Sequence, residues 1–410
     1  MFLLSYFLRH LIGIGTLRVI DARGKLHEFS GTPGPAVTIR LHDRSLHRRL
    51  FLNPRLVAGE AYMDGTLTVE DATIYDFLAL AGMNFAAAPR YLLSALYADS
   101  RGLMRWLHQF NPVRRARSNV AHHYDLSERL YALFLDAERQ YSCAYFLEPD
   151  EGLDKAQANK MRHIAAKLLL KPGMRVLDIG SGWGGLALYL ARATGAEVTG
   201  ITLSEEQCKR AAGRAAEAGL SETVRFHVRD YREQEGVFDR IVSVGMFEHV
   251  GAPQFGTFFR QLRDRLAPDG VALLHSIGRS DEPGATNPWI RKYIFPGGYV
   301  PALSEVMAAV EASGLWVTDV EILRLHYADT LRQWRQRFLA HWDEAKRIYD
   351  ERFCRMWEFY LAASEMAFRH EGLMVFQMQL ARRQDAVPLT RDYVTDIERA
   401  QADEAIMAAE

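Results

Sequence analysis

The segment Val176–Gly185, VLDIGSGWGG, constrains this chain more than any other. A β-rich run ends in a glycine-dense turn and passes at once into the apolar stretch GLALYLARATG, the strand–loop–helix unit that opens a doubly wound sheet. The alternation continues downstream: RVLDIG, AEVTGITL, VRFHVRD, FDRIVSVG and VALLHSIG are short β-rich runs, separated by helical segments such as SEEQCKRAAGRAAEAG and FGTFFRQLRDRLAPDG. This pattern predicts an α/β fold with a mostly parallel sheet and helices on both faces. Ligands then bind at the carboxyl ends of the strands.

The glycines satisfy two templates. Gly180, Gly182 and Gly185 spell the dinucleotide fingerprint G-x-G-x-x-G, while Gly180, Gly182 and Gly184 spell the G-x-G-x-G of S-adenosylmethionine methyltransferases. Both cofactors use the same physics, because missing side chains let backbone approach the ligand and the following helix N-terminus adds a field. Asp178 separates them: a pyrophosphate needs no carboxylate two residues before the loop, whereas the ammonium of a methionine moiety gains from one. The next strand ends GITLSEEQ without the usual acid, so Thr202, Ser204 and Gln207 are expected to contact the ribose. After the third strand, RDY places Asp230 to accept from an adenine amino group, with Tyr231 beside the ring.

At 410 residues, with 49% hydrophobic and 25% charged residues, the composition suits one large globular domain and a smaller one. Residues 1 to about 97 alternate short strands and turns, as in LRVIDARGKLHEFSG and AVTIRLHD, before helical stretches near YDFLALAGM and YLLSALYA. The expected organisation is a small α+β domain over 1–98, a linker over 99–118 and a catalytic domain over 119–410. Residues 1–118 carry 15 Lys and Arg against 9 Asp and Glu, densest at Arg40, Arg44, Arg48 and Arg49 and at Arg114, Arg115 and Arg117. Such runs are either a solvated face or a site for a polyanionic surface.

The opening MFLLSYFLRHLIGIG is interrupted by Arg9 and His10 and falls short of the ~20 residues that span a bilayer. Leu4, Phe7, Leu8, Leu11 and Ile12 form one helical face, which either packs on its own domain or lies on a membrane, with Leu4, Phe7 and Leu11 inserting. Three scattered cysteines, Cys143, Cys208 and Cys354, without a Cys-x-x-Cys pair, argue against a disulfide framework and a thiolate zinc site, and fit a reducing cytosol. The pair His122–His123 lacks partners for a coordination shell, so no metal is expected. Cys143, in QYSCAYF, admits three readings: a thiolate nucleophile, a metal ligand, or a small residue in a shaped pocket.

Together VLDIGSGWG, GITLSEEQ, RDY, YSCAYF and FEHV resemble the cyclopropane-fatty-acid synthases and the related mycolic acid cyclopropane synthases, over about Asn119 to Arg382. The N-terminal unit, with GEAYMDG at Gly59 to Gly65, resembles the extra domain of the phospholipid-acting branch. The resemblance implies a Rossmann-like S-adenosylmethionine domain with helical acyl-binding insertions, and methylene transfer from S-adenosylmethionine to the cis double bond of an unsaturated phospholipid. It implies a bound bicarbonate ion as base, held by the backbone amides of Cys143 and Ile277 and by Glu248, His275 and Tyr327. Cys143 is then a small residue whose thiol need not react, and Tyr141 and Ser142 belong to a lid touching the cofactor. Relatives carry a cysteine where this chain has Ser364, which argues against a required thiol there.

The aromatics of WIRKYIFPGGY and the run Trp334, Trp342, Phe353, Trp357, Tyr360 and Phe368 are expected to be mostly core, a minority lining an acyl tunnel. Rival functions are a lipid C-methyltransferase leaving a methylene or methyl branch, and a non-catalytic lipid-binding protein. No nucleic-acid partner is expected, since the basic density lies outside the sheet. The expected location is the cytoplasm, peripherally on the inner face of the membrane, and a homodimer stays open.

Overall fold

The computed structural model describes residues 1–87 and 127–407. The linker expected over 99–118 with Arg114, Arg115 and Arg117, the run YLLSALYA and the pair His122–His123 lie outside the described residues. The described chain divides into two units, one drawn from 1–87, 285–296 and 331–373, the other from 127–284, 297–330 and 374–407.

In the first unit, the helix Phe2–Leu11 precedes strands β1 (Ile14–Ile20), β2 (Leu26–Ser30), β3 (Thr32–Leu41) and β4 (Leu67–Val69). Their order is β2-β1-β3-β4, with β1 and β3 parallel and the two outer pairings antiparallel. Leu4, Phe7, Leu8, Leu11 and Ile12 are all buried, in one core with Val19, Val37 and Ile39. The stripe therefore faces its own unit, and insertion of Leu4, Phe7 and Leu11 into a membrane is corrected. The exposed apolar side chains of that helix are Phe2, Leu3 and Tyr6.

Two segments counted with the catalytic domain in sequence belong spatially to this first unit, and the GEAYMDG stretch shows why. It ends the helix Pro54–Met63. Any Cβ at Gly59 would overlap the indole of buried Trp289, from the helix Pro288–Tyr293. Beside it, Glu60 accepts from Lys292 Nζ at 2.6 Å and from the Tyr293 hydroxyl at 3.0 Å. Tyr62 donates to Glu358 at 2.6 Å, on the long helix Glu351–His370. Trp289, Trp334, Trp357, Tyr360 and Phe368 are buried, as the aromatic spacing suggested.

The second unit is built on a seven-stranded sheet of order β10-β11-β9-β8-β5-β6-β7. Strands β5 (Arg175–Ile179), β6 (Glu197–Thr202), β7 (Val224–Val228), β8 (Phe238–Val244) and β9 (Leu266–Arg279) correspond to the five runs expected from sequence, and their ladders are parallel; β9 starts five residues early, at Leu266, in the LAPDG stretch expected to end a helix. Strands β10 (Trp316–Ile322) and β11 (Leu373–Ala381) add an antiparallel pair at one side. Because side chains alternate along a strand, the sheet sorts its residues into two cores. Leu177, Ile241, Leu274 and Phe376 join the helices Phe255–Arg265 and Leu303–Ser313 on one side. Val176, Val242 and Leu273 join the helices Leu153–Lys167 and Gly185–Thr194 on the other. Asp178 shares the parity of Val176, His275 that of Leu273, and Gln377 is opposite in parity to Phe376. All three fall on the Leu153–Lys167 side.

Candidate active site

At the carboxyl end of β5 the chain turns through Gly180, Gly182 and Gly184, all at positive φ, into the helix Gly185–Thr194. Gly180 and Gly182 line a cleft together with Tyr141, Ser142, Asp178, Thr202, Gln207, Asp230 and Tyr231. Nine of the ten residues expected to hold the cofactor therefore meet in one place. Ser204 is the exception: its hydroxyl accepts from the Gln207 amide at 3.3 Å and caps the helix Glu205–Glu217, because a serine before a helix finds its nearest donors in that first turn. Gly184 and Gly185 answer the double template. A Cβ at Gly184 would crowd Phe226 and Ala211, whereas one at Gly185 would overlap the Glu138 carbonyl and so displace the loop leading to Tyr141 and Ser142.

Asp178 is buried, and one carboxylate oxygen, Oδ2, has no hydrogen-bond partner. Burial pushes its pKa up to about 7, with Lys160 pulling the other way. A buried carboxylate with an unpartnered oxygen at the glycine turn fits the ammonium of S-adenosylmethionine and has no use for a pyrophosphate. Thr202 donates to Gln207 Oε1 at 2.9 Å, so the two polar groups expected at the ribose are mutually oriented. Asp230 is less free than its sequence suggested. Arg232 grips it with Nε and Nη2, both at 2.7 Å, leaving only the remaining lone pairs for an adenine amino group.

Sequence reasoning missed Lys160, Arg232 and His249. Lys160 is wholly buried, and its Nζ donates to Gln140 Oε1 and, at 2.9 Å, to Ser142 Oγ. Burial lowers its pKa to about 8, against the pull of Asp136, Cys143 and Asp178. One ammonium thus fastens the Gln140–Ser142 loop and supplies a counter-charge to Asp178. His249 lines the cleft and is held neutral, burial bringing its pKa down to about 4.

The five residues expected at the ion do not line this cleft; two of them adjoin its lining in sequence, Cys143 following Ser142 and Glu248 preceding His249. Glu248 Oε1 accepts from the Ile277 amide at 2.6 Å, while Oε2 is buried without a partner. The Ile277 amide, expected to face an ion, is thus engaged by the carboxylate. Burial raises Glu248 to about 7, against that amide. His275, two residues earlier on β9, is buried, and burial together with Lys160 and Lys167 holds it neutral, well below its ordinary pKa. Ala144 donates to Thr330 Oγ1 at 3.0 Å and Phe146 to His326 Nδ1 at 3.1 Å, which stitches the Cys143 segment to the first turn of the helix His326–Ala340, where buried Tyr327 sits. The Cys143 thiol is buried, donates to the Ala144 carbonyl at 3.3 Å and is pushed far up in pKa by burial. It is a poor nucleophile there. Among the described residues no cluster of ligands could hold a metal ion.

A glycine turn carrying a buried carboxylate with an unpartnered oxygen, on a seven-stranded, mostly parallel sheet, defines an S-adenosylmethionine-dependent methyltransferase. Residues 112–378 match the family model described as mycolic acid cyclopropane synthetase. The chain is 39% identical over 345 residues to the cyclopropane-fatty-acyl-phospholipid synthase of Escherichia coli (strain K12), covering 84% of this chain and 87% of that one. It is 35% identical over 389 residues to the tuberculostearic acid methyltransferase UfaA1 of Mycobacterium tuberculosis, covering 89% and 88%. The solved structure of mycolic acid cyclopropane synthase CmaA1 complexed with SAH and CTAB aligns with a TM-score of 0.62 at 32% identity, over 66% of this chain and 99% of that one. The protein belongs to the mycolic acid cyclopropane synthetase family.

Proposed function

We propose that this enzyme transfers a methylene group from S-adenosylmethionine to the cis double bond of unsaturated phospholipid acyl chains, closing a cyclopropane ring. The bound cofactor supplies an electrophilic methyl group, and the protein aligns it with the alkene and excludes water. Attack by the alkene on that methyl forms the new carbon–carbon bond as the methyl–sulfur bond breaks, S-adenosylhomocysteine leaving with the electron pair, and a carbocation remains on the acyl chain. Loss of a proton from the added methyl group then closes the ring.

The observation that carries the reading is Glu248: a buried carboxyl raised to about 7, with one oxygen on the amide of Ile277, which follows neutral His275 by two residues in β9, and the other unmatched. A carboxylate and a neutral imidazole brought to the same stretch of β9 suit a small protonatable anion, the carboxylate accepting its hydroxyl and the imidazole donating to it. Bicarbonate is the ion proposed, as the base for the last proton. Likeness to the Escherichia coli synthase over most of both chains supports the phospholipid substrate. Likeness to the tuberculostearic acid methyltransferase favours a second reading, in which the cation resolves into a branch. Mass spectrometry of lipids from an expressing host separates them. The expected product gains one CH2 per unsaturated chain and loses the alkene signal without a methyl or methylene branch; a branched product establishes the second reading, and unchanged lipids remove both.

Access to such a substrate calls for peripheral docking, proposed to occur at the cytoplasmic face of the membrane. No helix among the described residues is long and apolar enough to cross a bilayer. Phe2, 84% exposed, with exposed Leu3, Tyr6 and Arg9 on the first helix, provides an insertion point flanked by positive charge. Phe2→Ser with Tyr6→Ser should therefore reduce co-sedimentation with anionic vesicles even at high salt, where charge is screened over only ~3 Å at 1 M. Undiminished binding would place docking elsewhere.

A further inference from the structure

The side of the sheet that carries Asp178 also buries a continuous polar chain ending on His275. His163 donates through Nδ1 to Glu398 at 2.8 Å and through Nε2 to Glu321 at 2.7 Å. Two carboxylate partners require both ring nitrogens to carry protons, so His163 is an imidazolium. Glu321 also receives Lys167 Nζ. Burial would raise this carboxyl, but His163 and Lys167 outweigh it and keep Glu321 ionised. The Lys167 ammonium donates onward to Gln377 Oε1 at 2.8 Å, and Gln377 Nε2 lies 3.2 Å from His275 Nδ1. Lys167, His275 and Gln377 are 0 to 2% exposed, so water does not compete for these bonds.

We infer that Lys167 and Gln377 form a relay that fixes the tautomer of His275, making them positioning residues for the proposed ion site. Donor chemistry alone fixes each role. An ammonium has only donors, so the atom it meets on Gln377 is the carbonyl oxygen. That settles an amide orientation which the near-identical shapes of oxygen and nitrogen would otherwise leave open. The other end of the amide is then NH2, which can only donate, so His275 Nδ1 accepts and bears no proton. The neutral ring carries its proton on Nε2. Nε2–H is a donor, the role required of a residue that orients an anion, whereas the opposite tautomer would turn a lone pair toward negative charge. The strand pattern produces the relay, because Phe376 and Met378 enter one core while Gln377 between them faces Lys167.

This assignment is about the ring itself, and only its effect on turnover rests on the function proposed above. The test uses the full chain labelled with 15N-histidine. Long-range proton–nitrogen correlations report each ring nitrogen, with His275 identified by its absence in His275→Gln. In the wild type, Nδ1 should give an acceptor resonance and Nε2 a protonated one. Gln377→Glu keeps the shape but replaces the donor by an acceptor, so a proton should appear on Nδ1. Turnover should drop by roughly 10- to 100-fold, taking as a guide the range for partners that orient metal-bound histidines, with the KM for S-adenosylmethionine unchanged. A protonated Nδ1 in the wild type, or an unprotonated one in Gln377→Glu, overturns the relay. Ring signals that change as expected while turnover stays at the wild-type rate uphold the relay and remove His275 from the reaction.

Discussion

Asp178→Asn is expected to weaken S-adenosylmethionine binding by roughly 10- to 100-fold, the worth of one charge-assisted hydrogen bond of about 1.5–3 kcal/mol. The carboxylate has an unmatched buried oxygen, and the amide that replaces it offers the cofactor ammonium no charge. The same substitution should not harm the fold. Without cofactor, the folded carboxyl keeps its proton up to about 7, while the unfolded chain loses it near the ordinary 3.8. Stability from this group is therefore greatest below that window and declines as pH rises through it. Asparagine has no such window, so at pH 8 the variant should melt no lower than the wild type. Cofactor affinity runs the other way. It should rise in the wild type as pH passes about 7 and the carboxylate forms, and stay flat in Asp178→Asn. Calorimetric titration at pH 6 and pH 8 measures both, and equal affinity of the two proteins at pH 8 would sink the ammonium assignment.

What the sequence disclosed and what it hid divide along a physical line. The five parallel strands and the glycine turn were legible because each strand carries a β-rich run and the runs are separated by helices with their own apolar period. Asp178, Thr202, Gln207 and Asp230 followed, since they stand at fixed offsets from strand ends. Lys160 was not legible. In DKAQANKMRHIAAK it reads as an ordinary solvated lysine, and only the packing of that helix against β5 shows that it is buried beside a carboxylate. Gln377 and Gln379 were hidden differently: in LMVFQMQLA a period of two is present, but both faces are buried, so polar residues do not mark solvent. The assignment of 285–296 and 331–373 to the first unit depends on Gly59 meeting Trp289 and Tyr62 meeting Glu358, nearly 300 positions apart in the second case. No local pattern carries such a contact.

The second large effect concerns Glu248. Glu248→Gln should lower kcat at saturating S-adenosylmethionine by at least ~100-fold, within the 10²–10⁴ range typical of groups that manage a proton in the transition state. Cofactor affinity should stay unchanged, because Glu248 does not line the cofactor cleft. Saturation matters for the pH profile, since Asp178 and Glu248 both titrate near 7 and only the first governs cofactor binding. With the cofactor saturating, the wild-type rate should still rise through about 7, as Glu248 becomes the acceptor that fixes a hydroxyl-bearing ion, and Glu248→Gln should lack that rise. Cys143→Ser provides the contrast. Its thiol is buried, stays protonated and bonds a neighbouring carbonyl, so the replacement should retain turnover within about tenfold. If Cys143→Ser instead lost as much as Glu248→Gln, the thiol would have a chemical part and the ion could not be the sole base. If Glu248→Gln kept its rate, the unmatched oxygen of Glu248 would belong to the fold, and the proton would leave by another path.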